Sequence, residues 1–419
     1  MSKKEFHENN RKQIISGLAD DRAVTVLFAG EPKVKSADQF FPFEPNRNFY
    51  YMTGIDKPLI IYMAVKDGDD IKETLFIERY DELKAKWDGK IFQEDDVKEL
   101  SGITNIKFLD EFENDFKNIV FKSFIYNIYL DLENRYLETD KPSLDFAKKL
   151  STCYPQASIK NVYSDIASKR LIKEDHEIET LRKSIDITRK GIENILSNTK
   201  PNIKEYELEA CFDYEIKKGG AKDKAFNTIL ASGKNATTLH YGENNCEIKD
   251  GDLILIDLGA SYNYYSADIS RTFPANGVYT ERQKELYNIV LAGQQKVMEA
   301  IKPGVPYKRL NEIIIEHYEE ELTRIGLIED KKDVSKYYFH NIGHYLGLDT
   351  HDVCKEEKDM LLESGMVITV EPGLYIPEES IGIRIEDDVL VTSDGYDNLS
   401  KDIVKTIDEI EAFIKNNKK

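Results

Sequence analysis

Between residues 22 and 132 the apolar positions come in short runs separated by polar stretches: RAVTVLFAG (22–30), PLIIYMAV (58–65), KETLFIERY (72–80) and FIYNIYLDL (124–132). Runs this short, rich in β-branched and aromatic residues, predict strands. Helix-like segments alternate with them, so the first ~170 residues predict a sheet with helices packed on it. From Lys173 the period changes, with Ile178, Leu181, Ile185, Ile192 and Ile195 at intervals suited to one buried face of a long helix. A boundary just before that helix divides the chain into 1–172 and 173–419. The length of 419 residues agrees, since one hydrophobic core seldom organises so long a chain.

The second part resembles itself at an offset of roughly a hundred residues, the mark of a duplicated unit. Lys200-Pro201 and Lys302-Pro303 each precede an apolar-periodic helix, and Gly219-Gly220 and Gly326 stand where those helices should stop. A histidine-bearing stretch follows in each half, then a strand of the same shape: GDLILIDLG (251–259) and GMVITVEPG (365–373). Alternation puts Leu253, Leu255 and Asp257 on one face of the first, and Val367, Thr369 and Glu371 on the corresponding face of the second. Asp257 and Glu371 thus hold equivalent places, and a pseudo-two-fold relation between the halves brings both acids to one cleft.

Other polar residues join them. Asp257 opens DLGASYNYYSAD, which ends at Asp268, and the intervening glycine and polar residues predict a turn between two strands. Either acid alone reads as a loop residue, but an unpaired carboxylate ending the run LILI is costly to bury. In GIRIEDDVLV, Ile381, Ile383 and Ile385 share one face while Arg384 and Glu386 share the other; by themselves the last two read as a structural ion pair. HNIGHYLGLDTHD (340–352) concentrates His340, His344 and His351, three of the seven histidines. His340 and His344 have the HxxxH spacing of a zinc-protease helix, but Asn341 replaces that motif's glutamate and the glycines weaken a helix. His240, in TTLHYGEN (237–244), is the histidine of the first half.

Asp257, Asp268, His344, Glu371 and Glu386 form a hard, oxygen-rich set suited to manganese, cobalt or magnesium-like ions rather than a structural zinc. Four carboxylates carry more charge than one divalent ion balances. Two ions sharing carboxylates and a water of lowered pKa are therefore predicted, with hydrolysis as the chemistry.

A formal charge of −19 disfavours nucleic acid as a partner, because phosphate binding needs a basic stripe. No apolar run approaches the ~18 residues of a membrane span, and the polar N-terminus MSKKEFHENNRKQ leads into no signal-like stretch, so a cytoplasmic protein is expected. Cys153, Cys211, Cys246 and Cys354 are far apart without CxxC spacing and are read as packing thiols.

Taken in order, TTLHYGEN, DLGASYNYYSAD with ISRTFP, HNIGHYLGLDTHD, EPGLYIP and GIRIEDDVLV resemble the pita-bread metallopeptidases, and within them the Xaa-Pro aminopeptidases (aminopeptidase P). The resemblance implies an α/β (α+β) chain: an N-terminal domain of the creatinase type, similar to ribonuclease H in fold, followed by a pita-bread domain with internal pseudo-two-fold duplication. NFYYMTGID (48–56) is similar to that N-terminal domain. It implies a pair of manganese ions, with Asp257 on one, Asp268 and Glu386 bridging, and His344 and Glu371 on the other. In the mechanism the resemblance implies, a bridging hydroxide attacks the Xaa-Pro bond of peptides with penultimate proline, Glu371 manages its proton, and His351 and His240 stabilise the oxyanion. His340 and Arg384 are implied as orienting or substrate-contacting residues. A homodimer or homotetramer is implied too, with Trp87 of KWDGKIF reaching toward a neighbouring subunit's site or, on the plainer reading, a partly buried loop aromatic. Gly242 departs from the threonine common in relatives. The rival readings are a prolidase restricted to Xaa-Pro dipeptides and a non-catalytic peptide-binding module of the same fold.

Overall fold

A computed structural model describes residues 2–89, 92–134, 141–354 and 360–417. The chain forms two compact units, Met1–Arg170 and Leu171–Lys419.

In the first unit, six strands form one sheet in the order Ile106–Phe108, Asp70–Ile77, Ile61–Asp67, Arg22–Phe28, Asn127–Leu130, Ser158–Asn161. The four central strands are those expected from the apolar runs. The two edge strands were not anticipated: IKF and SIKN are short and only partly buried, so burial imposes no clear pattern on them. Val24, Val26, Phe76, Ile128 and Leu130 of the sheet pack against Phe112, Phe116 and Val120 of the helix Leu109–Lys122. NFYYMT lies in the helix Arg47–Thr53, whose Phe49 N–H is capped by the Asn46 side chain and which ends on Gly54 in the left-handed region.

Trp87 lies on the short helix Glu82–Asp88 and is 83% exposed, not partly buried; Lys90 and Ile91 of the same segment lie outside the described residues. The cysteines are also more solvated than expected. Cys153 and Cys246 are exposed, Cys211 and Cys354 half-buried, and none is in a disulfide. Cys211 sits off the buried stripe of its helix, which is carried by Leu208, Phe212 and Ile216.

The second unit opens with the helix Asp175–Asn198, which buries Leu181, Ile185, Ile192 and Ile195. Ile178 is only half-buried; Glu177 occupies the core instead, at 1% exposure. Its Oε1 accepts from the Tyr265 hydroxyl (2.8 Å) and its Oε2 from the Glu174 N–H (2.9 Å). Burial nevertheless pushes the Glu177 carboxyl from 4.5 up to about 7. A carboxyl raised in the folded state adds no cost below its unfolded pKa and an increasing cost as pH rises toward 7, amounting to about 3 kcal/mol above it. Glu177→Gln removes that cost but leaves one acceptor oxygen for the two donors, Glu174 N–H and the Tyr265 hydroxyl, a loss worth about 1 kcal/mol. Denaturant titration should therefore find the variant more stable than wild type at pH 8 and less stable at pH 4; equal effects at both would show that Glu177 carries no buried charge.

The duplicated pattern has a structural counterpart. After Pro201 and Pro303 come the helices Glu205–Gly219 and Tyr307–Arg324, followed by Gly220 and Gly326, both at positive φ. The strand Leu253–Leu258 lies between Ile229–Ser232 and Ile269–Pro274, while Val367–Val370 pairs with Asp387–Val391. Asp257 lies within the first strand; Glu371 directly follows the second, which stops before Pro372, a residue with no N–H for a ladder. The turn expected between Asp257 and Asp268 is itself a small hairpin, Ala260–Tyr262 with Tyr265–Ser266, whose corner residues Asn263 and Tyr264 both have positive φ. Among the described residues no helix is long and apolar enough to cross a membrane.

Candidate metal centre

Register brings the first two acids together. Asp257 pairs with Ser270 across the antiparallel ladder, and Asp268, two residues before Ser270, faces the same side. Glu386 links the strands Ile381–Arg384 and Asp387–Val391, its N–H donating to Ser270 O (3.1 Å) and its Oε2 accepting from Ser270 Oγ (2.8 Å). Glu371 is held by its N–H on Ile342 O (2.8 Å).

His344 is in an extended segment, not a helix, laid along Val367–Val370. Its N–H donates to Thr369 Oγ1 (3.0 Å) and its carbonyl accepts from Thr369 N–H (2.9 Å). Gly343 permits this approach, since a Cβ there would lie 2.1 Å from Thr369 O. The His344 Nδ1 is 3.1 Å from Tyr345 O; donating there leaves Nε2 as the lone-pair nitrogen, 3.4 Å from Asp268 Oδ2 and 3.7 Å from Glu371 Oε1. Asp268, His344 and Glu386 each offer a ligand atom within 4.8 Å of the others.

Electrostatics mark the cluster as one built for cations. Burial, then Asp257, Asp388 and Glu371, push the Asp268 carboxyl well above the usual range; burial and Asp268 do the same to Glu386, and burial raises Glu371. Asp257 Oδ1 is buried without a hydrogen-bond partner, although its Oδ2 accepts from Arg384 Nη2 at 2.6 Å. An orphaned carboxylate oxygen among three other acids and a single imidazole fits divalent ions bound by oxygen-rich ligands.

Arg384 pairs with Asp257 (2.6 Å), as its place among the acids allows, so the structural ion pair with Glu386 that the two residues suggest by themselves is not the contact made. Its Nε donates to Ser270 Oγ and its Nη1 to the Tyr375 hydroxyl, so Ser270 bridges it to Glu386. His340 Nδ1 donates to Asn341 O (2.7 Å), its Nε2 accepts from the Tyr375 hydroxyl (3.0 Å), and burial with Arg384 nearby lowers it to about 4, leaving it neutral near pH 7. The His351 ring stands 4.2 Å from that of His344. His240 is exposed beyond the 3-10 turn Gly233–Thr237 and close enough to His340 to affect its charge.

Several residues of this arrangement were given no role in the sequence reading. Ser270 and Arg271 lie in ISRTFP and Tyr375 in EPGLYIP, segments that carried the resemblance, but nothing in those segments by themselves assigns the three a place at the site. Arg271 braces the Glu386 carbonyl (2.6 Å) and pairs with buried Asp387, which Arg271 and Lys405 hold well below the usual carboxylate range despite its burial. Buried Gln294 donates to both Val370 O and Ile385 O, tying together the backbones just ahead of Glu371 and Glu386.

Residues 179–393 match the model of metallopeptidase family M24, and residues 7–129 match the aminopeptidase P N-terminal domain. The Xaa-Pro aminopeptidase of Escherichia coli (strain K12) is 31% identical over 439 residues, spanning 99% of this chain and 98% of that protein. A solved chain from Bacillus anthracis, provisionally identified as an aminopeptidase P, is 50% identical with a TM-score of 0.97, covering 100% of this chain and 99% of that one. Zinc-substituted Escherichia coli aminopeptidase P in complex with product is 30% identical with a TM-score of 0.92, at the same coverage. The likeness thus spans both units, and the chain belongs to metallopeptidase family M24, in the form that carries an aminopeptidase P N-terminal domain ahead of the pita-bread domain.

Proposed function

We propose that this chain removes the N-terminal residue from peptides with proline in the second position. The observation carrying the reading is the cluster of Asp268, His344 and Glu386, with Asp257 and Glu371 acting on Asp268 beside it, in a chain whose full-length relatives are named for that activity. In this reading Asp257, Asp268, His344, Glu371 and Glu386 would hold two divalent ions, manganese by our assignment, and Asp268 and Glu386 would be the ligands common to both. When bound, such a pair lowers the pKa of a water and polarises the scissile carbonyl.

The side chains do the rest. Glu371 accepts the proton released in the attack and returns it to the leaving proline nitrogen. His351 and His240 donate to the developing oxyanion. Arg384, with its three kinds of nitrogen engaged, fixes Asp257, and neutral His340 orients Tyr375. The reading assigns 1–172 as the N-terminal domain and 173–419 as the catalytic one, in a cytoplasmic homodimer or homotetramer with Trp87 facing a neighbouring subunit.

The test is hydrolysis of Xaa-Pro dipeptides and of longer peptides such as Arg-Pro-Pro by protein stripped of metal and reloaded with single metals. Release of the first residue from the longer peptides, greatest with manganese, is expected. Cleavage of dipeptides alone would make the chain a prolidase, and no cleavage under any metal would make it a binding module. His351→Ala should retain both metals and lose turnover by about 100-fold, the scale of one oxyanion donor; metal loss in step with turnover would move His351 into the ligand set.

A further inference from the structure

The geometry points to Glu205 as a positioning residue for His240: one buried carboxylate that gathers five hydrogen bonds from the segment carrying that histidine. The inference rests on the role proposed above for His240.

Glu205 is the first residue of the helix Glu205–Gly219 and is fully buried. Its Oε1 accepts from Ser232 N–H (2.9 Å), Ser232 Oγ (2.7 Å) and Asn235 Nδ2 (3.1 Å), and its Oε2 from the Tyr241 hydroxyl (2.8 Å) and Cys246 N–H (2.9 Å). The backbone adds one more tie, Glu205 N–H to Cys246 O (3.0 Å). Segment 232–246 thus begins and ends on the same carboxylate and is fastened to it twice in between, at Asn235 and at Tyr241 beside His240.

A carboxylate has about four lone-pair directions, so five donors saturate it. Burial alone would raise this group, yet the donors win and its carboxyl is lowered, so the charged form is the one the loop is built around. The opposite side of the segment is equally constrained. A Cβ at Gly382 would lie 1.9 Å from Ala236 O, so the turn Gly233–Thr237 rests directly on the strand that ends at Arg384. Leu239 and Tyr241 pack on the cluster containing Tyr375, whose hydroxyl meets Arg384 and His340. His240 itself is exposed, next in sequence to Leu239 and Tyr241, which are packed in this way. The mechanism uses none of the five donors, and none belongs to the proposed ligand set.

Glu205→Gln keeps the shape and turns one acceptor oxygen into a donor facing other donors. We expect kcat to fall by about 100-fold, the penalty of a misplacement near 1 Å, with metal content and KM within about threefold of wild type. The discriminating measurement is the same substitution in a His240→Ala background, where little further loss in kcat is expected because the residue it positions is gone. Equal fold losses in both backgrounds would overturn the proposal and leave Glu205 a stability residue. Should Glu205→Gln fail to fold, Tyr241→Phe, which deletes one of the five bonds, carries the same cycle. A wild-type chain that cleaves no Xaa-Pro peptide defeats the functional reading before any variant is made. In that case amide exchange decides the positioning: faster exchange across 232–246 in Tyr241→Phe supports it, and unchanged protection overturns it.

Discussion

Asp268→Asn should lower peptide hydrolysis on the order of a thousand-fold, about 4 kcal/mol of transition-state stabilisation, and reduce bound metal below one ion per chain. The amide keeps the carboxylate's size but removes its charge and leaves a single good ligand oxygen where the proposal needs two. Asp268 is closely enclosed by other acids, with Asp257, Asp388 and Glu371 all acting on it and His344 Nε2 at 3.4 Å. The same crowding predicts a reversal in stability. Without metal, removing one of several mutually repelling buried acids relieves the fold, so the variant should melt no lower than wild type in chelator. With metal in excess, wild type should gain about 2.7 kcal/mol at a hundredfold over its dissociation constant, and the variant should gain much less. Metal analysis, turnover and melting curves with and without chelator check all three. Full activity with both metals retained would remove Asp268 from its bridging role.

How much of this was legible beforehand depended on whether a residue's role leaves a period or a motif. The central strands were visible because burial on both faces gives continuous apolar runs such as VTVLF, while the edge strands Ile106–Phe108 and Ser158–Asn161 were not. The equivalence of Asp257 and Glu371 was visible because duplication repeats a spacing. Their partners are set by register across strands far apart in sequence: Ser270 meets Glu386 only because the hairpin returns two residues past Asp268, and Arg384 meets Asp257 only through that same ladder. Glu205 was hidden for a related reason. A glutamate opening a helix is ordinary, and its five donors come from residues 27 to 41 positions away.

Asp352→Ala should destabilise the chain by about 3–5 kcal/mol, among the largest effects available outside the metal centre. Lys173 Nζ and Asp352 Oδ2 meet at 2.9 Å with both side chains 1% exposed. Removing the acid leaves the ammonium with the distant Leu171 carbonyl (3.4 Å) and with Glu177 nearby, whose charged form Lys173 favours. The intact site is closely packed: a Cβ at Gly347 would lie 2.2 Å from Asp352 Oδ2 and 3.0 Å from Lys173 Cε. The pair also closes a functional loop, since Asp352 N–H donates to Tyr345 O (2.9 Å) and His351 lies between them in sequence, its ring on His344. Replacing both partners by apolar residues, Lys173→Met with Asp352→Leu, should therefore recover most of the stability, because no buried charge is stranded. It should not recover turnover in full, because the ion pair no longer fixes the loop behind His351. Denaturation and kinetics on the two single variants and the double variant separate the effects. A loss under about 1 kcal/mol for Asp352→Ala would mean that the ammonium finds solvent after all, and the loop would then owe its position to Tyr345 and Gly347 instead of the ion pair.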